Sequence, residues 1–455
     1  MPLCSLMQRG FFIKRKRGKD MKPRKEALQL DIKETPKPLT WITLSFQHLF
    51  AMFGATILVP FLVGLDPAVA LISSGLGTLA FLLITKGQVP AYLGSSFAFI
   101  APIIAAKAAE GPEGAMVGSF LAGVVYGLVA LLIKIVGYKW IMKLLPPVVV
   151  GPVIIVIGLS LAGTAVDMAM NSPEGEYNLT YFSVALVTLA ITIVCSVAFK
   201  GFVSLIPVLI GIAGGYLYAL AIGLVDFSKV VGAELFQKPD FIIPFVTYTP
   251  GFSYEIVLLM VPVAVVTLSE HIGHQLVLGK VVERDYLKEP GLHRSILGDG
   301  VATMIASLIG GPPNTTYGEN IGVLAITRVY SVYIIAGAAV MAVVFGFIGK
   351  ISAFISSIPT PVMGGVSILL FGIIASSGLR MLTDNKIDFG NKRNLVISSV
   401  ILVIGIGGAM IKVSEQFELH GMALAAIIGI ALNLILPGRK AAEREQTAAN
   451  EHTAA

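Results

Sequence analysis

Apolar runs near 20 residues long recur from Trp41 to Leu436, separated by short polar or Gly/Pro-rich connections. A helix of about 20 residues spans the roughly 30 Å hydrocarbon core of a bilayer. The pattern predicts fourteen membrane segments. The first seven run over 41–64, 67–85, 89–106, 114–137, 144–166, 179–199 and 202–225. The second seven run over 255–278, 295–310, 313–327, 329–349, 353–375, 394–411 and 419–436. Trp41 and Trp140 fall at segment ends, where interfacial aromatics anchor helices. The predicted class is an all-α polytopic membrane protein.

Segments three and ten depart from this pattern. One is interrupted by Pro90, Gly94 and Pro102, the other by Gly311, Pro312, Pro313 and Gly318. Ser95-Ser96-Phe97 and Thr315-Thr316-Tyr317 favour extended backbone over helix. Non-helical backbone survives at membrane depth only when buried in protein or lining a cavity.

The interruptions also match across the chain. Gly94-Ser95-Ser96-Phe97 answers Asn314-Thr315-Thr316-Tyr317 at an offset of 220 residues. Pro147-Val148-Val149-Val150-Gly151 answers Pro361-Val362-Met363-Gly364-Gly365 at an offset of 214, and Gly158 and Gly372 each stand eleven residues after the proline. Gln47-His48 answers Glu270-His271 at an offset of 223. Seven segments separate the members of each pair. An odd number reverses direction, which predicts a 7+7 inverted repeat of the kind secondary transporters use.

Composition agrees with a membrane chain and charge gives it an orientation. Of 455 residues 55% are apolar and 13% charged, with mean hydropathy +0.84; a soluble domain carries about 25% charged residues. Of the 33 Lys and Arg, 28 lie in the two tails and in connections after even-numbered segments. Only Lys107, Lys229, Lys238, Lys350 and Lys412 follow odd-numbered ones. The positive-inside rule then places both termini in the cytoplasm. The net charge of +6 needs no nucleic-acid partner. The basic stretch Lys14–Lys25 reads as part of a disordered tail, residues 1–40, resting on anionic lipid. A second cytoplasmic tail is expected over 437–455. No cleavable signal peptide is expected, because no apolar run directly follows the basic stretch, and Met1 and Met21 both serve as candidate starts. Cys4 and Cys195 are expected to form neither a disulfide nor a metal site.

Against this background two acids stand out. Glu270 lies inside the run 255–278 and Glu319 inside 313–327. A charged residue at the centre of a spanning helix costs about 3 kcal/mol on insertion scales, so such residues face protein-lined cavities and mark substrate or proton paths. His274 stands four residues after Glu270 and shares its helix face. An acid and an imidazole one turn apart can carry and relay a proton. Glu319 follows Tyr317-Gly318, where glycine lets backbone approach a ligand closely. Carboxylates and backbone N–H groups together complement a planar edge that alternates N–H and C=O, such as a uracil-type lactam. Phe97 is placed to stack on such a ring or to offer its own N–H. A single buried Glu is often a structural partner within a bundle; two of them, beside a His and paired helix breaks, favour a site. His48 and His271 read as packing residues, and Asp299 as a cap at the cytoplasmic start of segment nine.

At these residues the chain resembles the nucleobase–cation symporter 2 family, also called nucleobase–ascorbate transporters. The resemblance spans roughly 39–436. The family's signature in the tenth span is Gln or Glu followed by Asn-x-Gly-x-x-x-x-Thr and a variable residue; here it stands as Glu319-Asn320-Ile321-Gly322-Val323-Leu324-Ala325-Ile326-Thr327-Arg328. The family's Gln-His pair appears as Gln47-His48. The stretches Phe46–Pro60, Ala91–Ile100 and Pro313–Tyr330 most resemble bacterial uracil permeases, and glutamate at position 319 favours that branch over the xanthine type.

The resemblance implies a core domain of segments one to four (41–138) and eight to eleven (255–349). It implies a gate domain of segments five to seven (144–225) and twelve to fourteen (351–436). Segments three and ten would each hold a short strand and a half-helix. Glu270 and Glu319 would bind the N–H groups of the base, Phe97 and Gly318 would supply backbone contacts, and Tyr317 would line the pocket. His274 would assist substrate or proton handling. The implied activity is proton-coupled import of uracil across the bacterial plasma membrane by alternating access. The proton is the coupling ion, no other cofactor is needed, and a homodimer through the gate is expected.

The alternatives differ in chemistry. A purine or xanthine permease of the same family needs only a different pocket shape. An anion transporter of the same fold is disfavoured by two acids in the site, because anions prefer helix N-termini without opposing carboxylates. A channel is disfavoured by the paired broken segments. A membrane metalloenzyme at Glu270-His271-x-x-His274 lacks the His-Glu-x-x-His order of zinc proteases and a third ligand. The charge asymmetry makes a first prediction. A periplasmic-type alkaline phosphatase fused after Lys238 is expected to be active and one fused after Lys288 inactive; the reverse pattern would invert the topology.

Overall fold

A computed structural model describes residues 30–201, 203–414 and 417–438. Cys4, the Lys14–Lys25 stretch, both candidate start methionines and the chain beyond Gly438 lie outside them. The helices of the first half are α1 (Pro38–Val63), α2 (Pro67–Ile84), α3 (Ile100–Val136), α4 (Lys139–Leu144), α5 (Pro147–Leu159), α6 (Ala162–Met170), α7 (Leu179–Val197), α8 (Pro207–Ala221) and α9 (Ser228–Gly232). Those of the second half are α10 (Tyr254–Met260), α11 (Val263–Val282), α12 (Leu292–Ile309), α13 (Gly318–Thr327), α14 (Val332–Gly346), α15 (Gly349–Ser356), α16 (Thr360–Asp384), α17 (Lys392–Ile406) and α18 (Gly421–Ile435). Four short strands accompany them: β1 (Leu93–Ser95), β2 (Asn314–Thr316), β3 (Met410–Ser414) and β4 (Phe417–His420).

Among the described residues, seven helices are long and apolar enough to cross a membrane: Pro38–Val63, Pro67–Ile84, Phe97–Val136, Pro147–Met170, Leu179–Val197, Tyr254–Val282 and Thr360–Asp384. Three shorter apolar helices, Pro207–Ala221, Val332–Gly346 and Gly421–Ile435, lie between and after them. Phe97–Val136 is not one straight rod. Gly111 takes φ +74° beside a non-helical Glu110, just ahead of Pro112. The break falls in the polar gap expected between segments three and four.

The broken segments take the form the sequence suggests. Gly310, at φ +90°, ends α12, and the Pro312-Pro313 pair cannot continue it. The chain then runs extended through β2 before α13 begins at Gly318. β1 and β2 pair antiparallel, with Leu93 opposite Thr316 and Ser95 opposite Asn314. A Cβ on Gly94 would lie 2.5 Å from the Tyr317 ring, so only glycine lets the strands approach this closely. Helix begins at Phe97 on one side and at Gly318 on the other, an offset of 221, one residue from that of the sequence match.

Two sets of helices pack most extensively, with α11 meeting α5 and α18 of the second as well as α3 of the first. In the first, α3 packs on α10 and α12, α2 on α12 and α14, and α1 on α14. In the second, α16 packs on α5, α6 and α7, α7 on α8, and α17 on α5 and α18. The α5–α16 contact depends on glycine. A Cβ on Gly158 would come within 2.3 Å of the Phe371 carbonyl, and one on Gly378 within 2.5 Å of the Gly151 carbonyl. Gly372, the sequence counterpart of Gly158, has nothing within 4 Å of an added Cβ. Backbone contact of this kind substitutes for hydrophobic driving force between helices in lipid.

Three expectations need correction. The tail was expected to be disordered through residue 40, yet residues 30–37 are ordered and α1 begins at Pro38. Ile32 is the reason: its apolar side chain is 1% exposed. Segment thirteen was expected to continue to 411 and fourteen to start at 419. Instead α17 stops at Ile406, Gly408 turns at φ +66°, and β3 and β4 form an antiparallel hairpin. Asp299 does not cap α12. It lies seven residues inside the helix, 2% exposed, with its Oδ2 3.5 Å from His271 Nδ1.

The glycine contacts generate a prediction about stability. Gly378→Val should destabilise the detergent-solubilised protein by about 1–3 kcal/mol, as overpacking does. Gly372→Ala should change it by less than about 1 kcal/mol. Equal melting temperatures for the two variants would refute the close-packing role.

Candidate functional site

The buried, non-helical backbone of the two broken segments must find partners inside the protein. The two broken segments supply most of them to each other, and neighbouring helices add two hydroxyls. Ser96 N–H donates to the Pro313 carbonyl at 2.8 Å and Tyr317 N–H to the Tyr92 carbonyl at 2.9 Å. Thr78 on α2 accepts from Leu93 N–H at 2.9 Å, and Thr303 on α12 donates to the Asn314 carbonyl at 2.9 Å. Asn314 Nδ2 donates to the Ser73 carbonyl at 3.0 Å. These bonds fix the starts of both half-helices and hence the residues that head them.

Tyr317 belongs to this scaffold. Its hydroxyl donates to the Ser95 carbonyl at 3.0 Å and accepts from Thr56 at 3.3 Å. The ring therefore lies across the β1–β2 pair, buried at 2% exposure. Gly318 follows as the first residue of α13, and Glu319 sits in that helix's first turn. Acidic residues are favoured there by the unpaired N–H groups and the helix dipole.

α11 brings the second acid. Pro262 separates it from α10, and the helix then carries Glu270 and His274 one turn apart. α11 packs on α13, so that Glu319 acts electrostatically on Glu270, and Glu270 in turn on Asp299. His274 Nδ1 lies 3.1 Å from Thr316 Oγ1 on β2, and a Cβ on Gly318 would stand 3.3 Å from His274 Nε2. Five elements thus converge: α11, α13, β1, β2 and the start of the Phe97 half-helix.

Glu270 is buried, and its Oε2 has no hydrogen-bond partner among the described residues. Gly318, Glu319 and His274 keep partial exposure, while Thr316, Tyr317, Asn320 and His271 around them are buried. Phe97 is buried at the head of the other half-helix. Its ring meets Phe371 of α16 edge to face, with centroids 5.8 Å apart. A cavity of about 470 Å³ opens beside the cluster, walled by Ala98, Ala101, Leu161, Val263, Gly405 and Met422. Its walls are apolar, and neither Glu270 nor Glu319 lines it.

Several polar residues here carry more than the sequence indicated. His48 on α1 grips α13: Asn320 Nδ2 donates to the His48 carbonyl at 3.1 Å and lies 3.2 Å from its Nδ1. His271 and Asp299 form a buried pair behind Glu270, and Tyr126 hydrogen-bonds Thr267 one turn before it. The helix period could have found this group, since Thr267, Glu270, His271 and His274 follow i, i+3, i+4, i+7 spacing. Nothing in the linear sequence links them to Asp299 or Tyr126.

Known proteins agree with this architecture. Residues 39–414 match the model of the Permease family. The chain is 75% identical over 410 residues to the uracil permease of Bacillus caldolyticus, covering 90% of this chain and 95% of that protein. It is 66% identical over 433 residues to the uracil permease of Bacillus subtilis (94% and 99% covered) and 46% identical over 408 residues to that of Escherichia coli K12 (89% and 93%). In fold it is similar to the transmembrane domain of BicA, a cyanobacterium bicarbonate transporter, with TM-score 0.62 and 14% identity over 89% of this chain and all of that one. The inward-facing murine Slc26a9 anion transporter gives TM-score 0.64 at 12% identity, over 89% of this chain and 69% of that one. A multi-pass arrangement of apolar helices and a family match over most of its length lead to one conclusion: the chain belongs to the Permease family.

Proposed function

We propose that this chain is a proton-coupled uracil symporter that imports the base across the plasma membrane by alternating access. The observation that carries the reading is the packing of α11 on α13, which sets His274, one turn after Glu270, against Gly318 at the head of the half-helix that carries Glu319. The relatives named as uracil permeases support uracil as the cargo.

The chemistry follows from the donors and acceptors present. Two carboxylates accept the two ring N–H groups of uracil. The N–H groups at the heads of the Phe97 and Gly318 half-helices donate to its carbonyl oxygens, since the first N–H groups of a helix have no intrahelical partner. Tyr317 holds the β1–β2 platform beneath them. His274, oriented through Thr316, has its second ring nitrogen toward Gly318; one turn from Glu270 on the same helix, it would exchange a proton with that carboxylate. A proton taken up with the base neutralises one carboxylate before the loaded site moves, which lowers the cost of carrying charge through a low-dielectric region.

The packing supports a moving-core reading. The first helix group, with the site, is the core of segments one to four and eight to eleven; the second is the gate, through which two copies would associate. The Phe97–Phe371 ring contact lies on the boundary between them. Fourteen crossings and an inverted repeat remain part of the proposal, supported by the antiparallel β1–β2 pair and by an element at each expected interval. Both termini are placed in the cytoplasm on the charge distribution.

Labelled-uracil uptake tests the reading. Glu270→Gln and Glu319→Gln should each weaken uracil binding about 10- to 100-fold, the worth of a hydrogen bond to a charged group, with membrane levels unchanged. A protonophore should abolish accumulation by the wild type. Normal uptake by both variants would remove the site, and accumulation independent of the proton gradient would remove the coupling. Strong competition by xanthine would move the cargo to the purine class.

A further inference from the structure

The ordered segment just before α1 is a strap across one end of the core. Leu30 forms a parallel bridge with Val329. Tyr330 N–H donates to the Leu30 carbonyl at 2.8 Å, and Val332 N–H to the Ile32 carbonyl at 2.9 Å. Ser331 Oγ donates to the Glu34 carbonyl at 2.6 Å. Ile32 is buried beneath the strap, and Arg284 Nη2 reaches both oxygens of Asp31 at 3.0 Å. Asp31 also closes its own turn: Glu34 Oε2 accepts from Asp31 N–H at 3.0 Å.

The residues it holds are the tails of the two helices that carry the acids. Val329 comes two residues after α13, past the left-handed turn at Arg328 (φ +54°). Arg284 comes two residues after α11, past the left-handed turn at Glu283 (φ +57°). Tyr330 ties the two tails directly, its hydroxyl donating to the Val281 carbonyl at 2.9 Å. The strap runs on into α1, whose His48 grips Asn320 beside Glu319. The chain from Leu30 to His48 therefore holds α13 at both ends.

We infer that residues 30–34 are a positioning element for the transport site, fixing the half-helix that carries Glu319 relative to the helix that carries Glu270. This rests on the reading of those glutamates as the uracil site. α13 has only ten residues, about 15 Å, so a tilt at its strapped end is passed to Glu319 as a displacement. Polar recognition tolerates only about 0.5 Å of such error. Because the strap's hydrogen bonds to other parts of the described chain go to Arg284 and to residues 329–332, its loss should loosen binding and leave the maximal transport rate intact.

The test compares purified full-length protein with deletions of residues 1–29 and 1–34, and with Asp31→Arg, Arg284→Asp and the double exchange. The 1–29 deletion should bind uracil as the wild type does. The 1–34 deletion should raise KM and Kd about tenfold, a loss of about 1.4 kcal/mol, with maximal uptake unchanged and faster hydrogen exchange at Tyr330 and Val332. Each single exchange should weaken binding about threefold, within the range of an exposed ion pair, and the double exchange should restore it. Wild-type Kd in the 1–34 deletion would overturn the inference. Glu319→Gln measured alongside separates the two ideas. If it loses binding while the 1–34 deletion does not, only the strap role fails; if it binds normally, the site itself is wrong.

Discussion

The antiparallel pairing of β1 with β2 is the constraint on which the rest depends. Two segments stop being helical where they are buried in the protein, so their N–H and C=O groups must find partners there. They satisfy each other and borrow hydroxyls from Thr78 and Thr303. That solution has a consequence: helices must restart inside the protein, at Phe97 and Gly318, with their N-terminal N–H groups facing inward. A polar location with exposed donors is thereby built into an apolar molecule, and acids become tolerable beside it.

The acids arrive from separate directions. Glu319 follows directly from the restart of α13, whereas Glu270 is delivered by the uninterrupted helix α11. Their proximity is a product of tertiary packing, held by His274 against Thr316, His48 against Asn320 and the strap at the far ends. Glycine sets the tolerances. Gly94 lets the strands close over Tyr317, and Gly158 and Gly378 let α5 and α16 meet backbone to backbone.

Much of this was legible in the linear chain. Hydropathy marked the apolar helices, and Gly/Pro clusters with Ser, Thr and aromatic residues marked both breaks, because these features act locally. Glu270, His274 and Glu319 were conspicuous for a similar reason: a charge inside an apolar run needs an explanation wherever it packs. What stayed hidden depends on distance in sequence. Asp299 looked like a cap near a helix start and proved to be buried against His271. Ile32 sat in a polar, basic tail, and only its docking against 329–332 orders that segment. Most of the β3–β4 hairpin falls in 412–418, which was read as a plain connection, and its outer residues were assigned to the ends of the flanking spans; the pairing that makes it a hairpin is not visible in the linear sequence. Phe97 was read as able to stack on a ligand ring or to offer its own N–H, and nothing in the linear sequence revealed that its ring meets Phe371 edge to face.

The most direct measurement is a structure with 5-bromouracil bound, in which anomalous scattering locates the bromine. A shared carboxylate site predicts one peak beside Gly318, with the ring between Glu270 and Glu319. A peak confined to the apolar cavity walled by Ala98, Leu161 and Met422, with both glutamates untouched, would contradict it.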